Sequence, residues 1–408
     1  MITIDLRQSF CCLWNLCFYT DTKPGVGAAR SLCDANVFQV KRHQRVEPLP
    51  HACHSSRLAR EDGVAAMLEI DGSCGEGGGQ LLRTAVALAA ITRTAVHITR
   101  VRAGRSKPGL AAQHLTAVRA VAALCNAQVE GLAIGSQTIV FAPGAIQGGD
   151  FSFDVATAGS APLVLQALLP VMISSGQRVS VCIRGGTDVR AAPPLDYLVH
   201  VLFPLLRRLG AQVTLLDVRR GYYPRGGGLV RVAVEPAVLT PYHFAAQGAP
   251  RHVGGIAHVA NLPAHIAERM RRAALQVLGE GSSAHIESQV LSKPEAMGTG
   301  GAIVLWAETD GTVLGAGRVA QRGVPAESLG GDAARELVAD LRAGATLDLH
   351  AADQLLIYLA LSGHGSYVTR TLTRHAQTAM WLIEQFLPVR FTTASRGDLV
   401  AVHVRKLS

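Results

Sequence analysis

One order of elements occurs twice in this chain and constrains its fold more than composition does. From Met67 the sequence reads as a strand (Met67 to Asp71), a glycine-rich turn and a helix that is apolar almost all round (Leu81 to Ile91). A strand (Ala95 to Val101), an amphipathic helix (Leu110 to Leu124) and two short strands (Gln128 to Leu132, Thr138 to Phe141) follow. About 85 residues on, the order returns. It runs strand Phe151 to Val155, turn Thr157 to Ser160, helix Leu163 to Ile173, strand Val179 to Ile183, helix Asp196 to Leu209, and strands Gln212 to Leu216 and Leu229 to Val234. Gly72-Ser73 and Gly159-Ser160 hold corresponding places between strand and buried helix. A period this long belongs to stacked α/β subdomains, not to a solenoid. A third copy is expected from Thr346, with helices at Ala351 to Leu361 and Ala376 to Phe386.

Between the second and third copies the pattern changes. Val253 to Val259 reads as a strand, His265 to Leu278 as a helix, and Ala284 to Val290, Ala302 to Glu308 and Thr312 to Ala316 as strands, closed by a helix over Pro325 to Leu341. That is an α/β unit of about 95 residues, long enough to carry its own core. The expected fold class is α/β with α+β character. Residues 67–245 plus 343–408 make the repeat domain and 246–342 an inserted α/β domain. Residues 1–66 show no sustained period of 2 or 3.6 and are expected to stand outside the fold.

Composition narrows the setting. The 408 residues are 49% hydrophobic and 17% charged, which is globular and not disordered. No run of about 18 apolar residues appears, so no membrane-spanning helix is expected. A formal charge of +9 favours an anionic partner without naming one. Cys11, Cys12, Cys17, Cys33 and Cys53 precede residue 60, only Cys74, Cys125 and Cys182 follow, and no CxxC pair occurs. A reducing cytoplasm is the simplest compartment for such a chain.

Six segments could carry chemistry. Asp71-Gly-Ser-Cys-Gly-Glu-Gly-Gly-Gly-Gln-Leu-Leu-Arg83 opens a buried helix with more glycines than a tight turn requires, so backbone N–H groups can approach an anion closely. It lacks the lysine and hydroxyl of a P-loop and fails GxGxxG at Gln80. Glu76 inside it points to a bridging Mg²⁺ or Mn²⁺. Arg100, Arg102 and Arg105 follow at a strand end, with alternation placing the first two on one face; guanidinium groups there suit phosphate, although spacing alone fits a solvated loop better. Gly185-Gly-Thr-Asp188…Ala192-Pro-Pro-Leu-Asp196-Tyr197 and Gly221-Tyr-Tyr-Pro-Arg-Gly-Gly-Gly228 are glycine-rich loops that concentrate backbone donors and aromatic faces. In the third copy, His350-Ala-Ala-Asp353-Gln354 and Arg374-His375-Ala-Gln-Thr378 each put a histidine at a helix start, where nucleophile, base and simple cap are all open readings.

Taken together, Glu76 to Gln80, Gly185 to Asp188 with Ala192-Pro193 and Asp196-Tyr197, and Gly221 to Gly228 resemble the signatures of the RNA 3′-terminal phosphate cyclases, in order, from about Met67 to the C-terminus. The resemblance implies three repeats of two helices on a four-stranded sheet, similar to the C-terminal domain of a translation initiation factor, with a smaller domain inserted before the last. It implies ATP-dependent conversion of an RNA 3′-phosphate into a 2′,3′-cyclic phosphate through a covalent histidine–AMP and an RNA adenylate. Carried over residue by residue, the nucleophile is His375. Gln166, His350, Ala351, Ala352, Asp353 and Gln354 match nucleotide contacts. Arg83, Arg102, Arg105, Gln113 and His114 match the set around the phosphates and RNA end, and Glu76 matches the metal-proximal carboxylate. Ala379 and Ala351 depart from the Asn and Leu frequent in relatives. The implied partners are ATP, Mg²⁺ or Mn²⁺ and RNA with a 3′-phosphate end; a homodimer is left open. Two other readings compete. A non-catalytic cyclase-like protein of ribosome biogenesis would lack His375, and an enolpyruvyl transferase of related architecture would lack Gly221 to Gly228.

Overall fold

The computed structural model describes Cys53, residues 55–58, 67–279 and 283–407. The first sheet takes β1 (Ser55–Leu58), β2 (Met67–Asp71), β3 (Val96–Thr99), β4 (Gln128–Glu130) and β5 (Ile139–Ala142) in the order β1-β2-β3-β5-β4, and carries helices α1 (Gly79–Thr92) and α2 (Ala112–Cys125). β2 and β3 are parallel, as a strand–helix–strand crossover requires, and β4–β5 is an antiparallel hairpin. β1 pairs with β2 antiparallel, Ser55 opposite Ile70 and Leu58 opposite Met67. The expectation that 1–66 stand outside the fold therefore needs correction at this strand: the free edge of β2 offers unpaired backbone groups, and residues 55–58 satisfy them. The apolar patch Phe10 to Tyr19 lies outside the described residues.

The second unit holds β6 (Gly149–Asp154), α3 (Ala161–Ile173), β7 (Val179–Gly185), α4 (Leu195–Tyr197), a π-helical stretch over Leu198–Leu202, α5 (Phe203–Arg208), β8 (Gln212–Gly221) and β9 (Gly228–Glu235). β10 (Tyr242–His243) then leaves it to pair with the last unit. The inserted segment contains β11 (Pro250–Ala260), α6 (Ala264–Leu278), β12 (His285–Leu291), β13 (Ala296–Met297), β14 (Gly300–Thr309), β15 (Val313–Val319) and α7 (Ala326–Ala343). The chain finishes with α8 (Leu349–Leu361), β16 (His364–Thr369), α9 (Arg374–Phe386), β17 (Val389–Arg396) and β18 (Leu399–Lys406), in the sheet order β10-β16-β18-β17. The whole is an α+β fold of small mixed sheets.

The helices explain the hydrophobic pattern. α1 touches α2, α3 and α9, and α8 packs on α9 and α3, so helices from separate parts of the chain meet in one core. Leu81, Leu82 and Ala85 to Ala90 are all buried, because α1 is covered on every side; a helix facing one partner would have kept a polar stripe. The insert has a second core, where α6 and α7 lie on the sheet β12-β11-β14-β15. Gly330 allows that helix pair to close: a Cβ there would stand 2.0 Å from the carbonyl oxygen of Met270. The insert docks back through Val304, Trp306 and Val313, which join the main core, with Trp306 stacked on His200 at 4.1 Å between ring centroids. β13 adds itself parallel to β8 in the order β13-β8-β9-β7-β6.

One local expectation fails. β3 stops at Thr99 where the pattern ran to Val101, and Arg100 and Arg102 take left-handed backbone angles, φ 48° and 57°. They are turn residues, not two rungs on one strand face. Arg100 spends its guanidinium on Asp71, donating from Nε at 2.9 Å.

Candidate active site

The glycine run after β2 is fixed by what surrounds it. A Cβ on Gly75 would fall 1.9 Å from Thr378 Oγ1, on Gly77 2.7 Å from the backbone nitrogen of Gly104, on Gly78 2.8 Å from an Arg105 guanidinium nitrogen, and on Gly79 2.0 Å from His114 Nε2. Gly75 and Gly77 also sit at φ 64° and 54°, where side chains are disfavoured. The run is therefore a close-approach loop wedged between α9, the Arg102–Arg105 turn and α2. Its end, Gly78, begins α1 without any side-chain cap, so the first N–H groups of that helix keep no partner from a capping side chain.

Glu76 projects from this loop to His375, whose Nε2 lies 3.0 Å from Glu76 Oε2. Burial works against the charge on Glu76, but the His375 hydrogen bond and the charges of His375, Arg105 and Arg374 outweigh it and hold the carboxyl below its ordinary range. Arg105 reaches the same oxygen at 3.5 Å. His375 is placed by the start of α9, where Thr373 Oγ1 accepts from the backbone N–H of Ala376 and donates to Asp353 Oδ1 at 2.6 Å. Desolvation pushes Asp353 up to about 6 against the opposing charges of His375 and His350 and the Thr373 bond.

Beside this pair stands a cationic cluster with little to balance it. Desolvation and the neighbouring Arg102 and Arg105 lower Arg83 to about 10, and desolvation and Arg105 lower Arg102. His114 is buried, and desolvation together with the three arginines pushes it down to about 3, so its ring is neutral near pH 7. Its Nδ1 has no hydrogen-bond partner among the described residues. Gln113 turns the other way, its Oε1 accepting from the backbone N–H of Ser160 at 2.9 Å.

An open cleft runs alongside, lined by Gln80, Arg83, Gln166, Pro170, Asp353 and Gln354 among others, and continues past Gln80, Thr84 and Ala379 into a hollow lined by Glu76 and His375. Gln166 Nε2 donates to Gln354 Oε1 at 2.7 Å across the cleft. The structure thus brings together His375, Glu76, Arg83, Arg102, Arg105, His114, Gln166, Asp353 and Gln354. His350 stands beside Tyr197 and Glu336, and Ala351 and Ala352 are buried in the core. Thr373 escaped the sequence reading, and Thr378 and Cys74 stood in its motifs without a role. Thr373 carries the hydroxyl usual at a helix start, a readable signal. Cys74 lines the hollow and is disulfide-bonded to Cys53, a pairing that spacing did not show.

The other two glycine-rich motifs build a junction with β11. Arg220 lies between Asp196 at 2.5 Å and Asp188 at 3.3 Å, and His258 of the insert stands 3.7 and 3.9 Å from the same carboxylates while accepting or donating at Nδ1 with the Tyr222 hydroxyl, 3.0 Å away.

A histidine held against a carboxylate, next to clustered guanidinium groups and an open cleft, suits an enzyme that handles phosphate groups. A family model describing the RNA 3′-terminal phosphate cyclases matches residues 74–393. RNA 3′-terminal phosphate cyclases from Nitrosospira multiformis, Pyrobaculum neutrophilum and Methanosarcina barkeri are 53%, 44% and 43% identical to this chain. Each alignment spans 83% of this chain and 97%, 98% and 100% of those relatives, respectively. The chain belongs to the RNA 3′-terminal phosphate cyclase family.

Proposed function

We propose that this chain converts an RNA 3′-phosphate into a 2′,3′-cyclic phosphate at the expense of ATP, with His375 as the nucleophile. The observation that carries this reading is the 3.0 Å contact between His375 Nε2 and Glu76 in the hollow that continues from the cleft. The imidazole attacks the α-phosphorus of ATP, an N–P bond forms, and the bond to the β-phosphate oxygen breaks to release diphosphate. An oxygen of the RNA 3′-phosphate then takes the AMP from the histidine. The neighbouring 2′-hydroxyl attacks the activated phosphorus, loses its proton and expels AMP, which yields the ring. Arg83, Arg102 and Arg105 offset the phosphate charge, and the uncapped start of α1 adds backbone donors.

No cluster of three or more His, Cys, Asp or Glu suited to a metal occurs among the described residues. One carboxylate beside the phosphates still fits Mg²⁺ or Mn²⁺, which take most of their ligands from phosphate and water. Glu76 is the residue that would hold the ion, and the ion would supply further neutralisation of the triphosphate. Gln166, Asp353 and Gln354 line the volume for the nucleoside. Forming AMP and diphosphate in this way makes the reaction that of an ATP-dependent ligase.

No helix among the described residues is long and apolar enough to cross a membrane. The cytoplasm is the proposed compartment, where ATP and RNA meet. The Cys53–Cys74 disulfide stands against a reducing setting, so thiol labelling of protein taken directly from cells tests that part. The reaction itself is tested by incubating the protein with α-labelled ATP and Mg²⁺ or Mn²⁺. Acid-labile, base-stable AMP should remain on the protein, and a 3′-phosphorylated oligoribonucleotide should become phosphatase-resistant. Absence of both in wild-type protein would support the non-catalytic reading.

A further inference from the structure

The tip between β8 and β9 has no part in the chemistry above, yet it is built to present two side chains. Tyr222 and Tyr223 are adjacent and opposite in role. Tyr222 is 2% exposed, with its hydroxyl on His258, whereas Tyr223 is 77% exposed. The tip is closed beneath them by a bridge between Tyr222 and Gly226, whose N–H donates to the Tyr222 carbonyl at 2.7 Å. Tyr223, Pro224 and Arg225 are thus held out in solvent on a short, anchored turn.

This tip lies on the arginine-cluster side of the molecule. Gly226 sits so close to the Thr157–Ser160 turn that a Cβ would meet the Thr157 carbonyl oxygen at 2.6 Å and Ala158 Cα at 2.8 Å. The same turn contacts Gln113, whose Oε1 takes the Ser160 N–H and whose Cβ would lie 3.1 Å from a Cβ on Gly159. Gln113 is next to His114, which packs among Arg83, Arg102 and Arg105. A chain of contacts therefore leads from the guanidinium cluster through Gln113 and the Thr157–Ser160 turn to the tip that carries Tyr223 and Arg225.

We propose that Tyr223 and Arg225 form a platform for the RNA strand 5′ of the reacting end, with Tyr223 stacking on a base and Arg225 pairing with a phosphate. The proposal rests on the reading that a 3′-phosphate end binds at the arginine cluster. One aromatic face and one cation on a three-residue tip are too small for a protein interface, which needs several hundred Å² on each partner. They match the needs of single-stranded RNA, where any base offers a π-face and stacking tolerates sequence. A pre-anchored tip also loses little freedom on binding.

The test compares a 3′-phosphorylated oligoribonucleotide of about ten nucleotides, long enough to reach a second subsite, with a 3′-phosphorylated dinucleotide. Tyr223→Ala should raise KM for the long RNA roughly five- to one-hundredfold, the range for losing one stacked base. KM for the dinucleotide, kcat and the rate of ATP-dependent self-labelling should stay as in wild type, and Tyr223→Phe should restore the long-RNA KM. Arg225→Ala should lower the slope of log affinity against log salt by roughly 0.7 for the long RNA alone. Equal KM for both RNAs in Tyr223→Ala and wild type would overturn the proposal, as would a matching rise for both. Equilibrium binding of the same RNAs gives the comparison without turnover. A wild-type protein that binds but does not cyclise would thus count against the proposed reaction, while the platform is still judged on binding.

Discussion

His375 and Glu76 lie far apart in the sequence and meet at 3.0 Å, so each is defined by the other. His375→Ala should abolish retention of labelled AMP, and equal labelling would remove His375 from the nucleophile role. Glu76→Gln keeps the shape but loses the charge that faces His375 and the phosphates, and should slow self-labelling on the order of 10²-fold. The arginine cluster supplies a second residue-scale prediction. Arg83 and Arg102 are held below their ordinary range by desolvation and by neighbouring arginines, a like-charge strain that a phosphate group relieves. Inorganic diphosphate should therefore raise Tm of the wild type. Arg83→Gln should raise Tm without the ligand and shrink the diphosphate shift, as calorimetry would show. Of these residues, Glu76 was visible as an acid out of place in a glycine turn. His375 stood out among 15 histidines only through the family resemblance. The turn at Arg100 and Arg102 was illegible, because nothing in an arginine announces a left-handed backbone.

At the scale of elements, the start of α1 is set by atoms from elsewhere. Gly79 has no space for a methyl group because His114 Nε2 occupies it. Gly79→Ala should destabilise the protein by roughly 1–3 kcal/mol, the usual cost of overpacking, and abolish self-labelling. Adding His114→Ala should recover part of that stability, since the two changes share one contact. Additive losses in denaturant unfolding would show that the clash lies elsewhere. The helices themselves were legible: α1 as a buried helix, α8 and α9 within two residues of their expected starts. Their apolar runs answer directly to helix-on-helix burial. Strand ends and β1 were not, since they depend on which neighbour offers a free edge.

At the scale of the whole molecule, two sequence motifs with the look of ligand loops turn out to meet β11 in a buried polar junction. Asp188, Asp196 and Arg220 come from the second unit and His258 from β11, and all four are buried together. The motifs were readable as glycine-rich turns, but their purpose depends on His258, a partner distant in the sequence that no local pattern carries. Arg220→Leu leaves two carboxylates buried without their cation and should cost roughly 3–5 kcal/mol, with limited proteolysis cutting the insert first. Acid should act on the same junction. Desolvation depresses His258 below 6.5, despite the carboxylates that pull it upward, so the unfolded chain takes up a proton there that the folded one refuses. Stability should therefore fall as pH drops below about 6.5. Asp196 is held below its ordinary range by Arg220 and His258, which outweigh its burial, and adds a further loss only at lower pH, as the carboxylate is protonated. His258→Gln keeps a polar partner within reach of Tyr222 but cannot take up that proton. Its denaturation midpoint should change less than that of the wild type between about pH 7 and pH 5; parallel curves for the two proteins would place the acid sensitivity outside this junction.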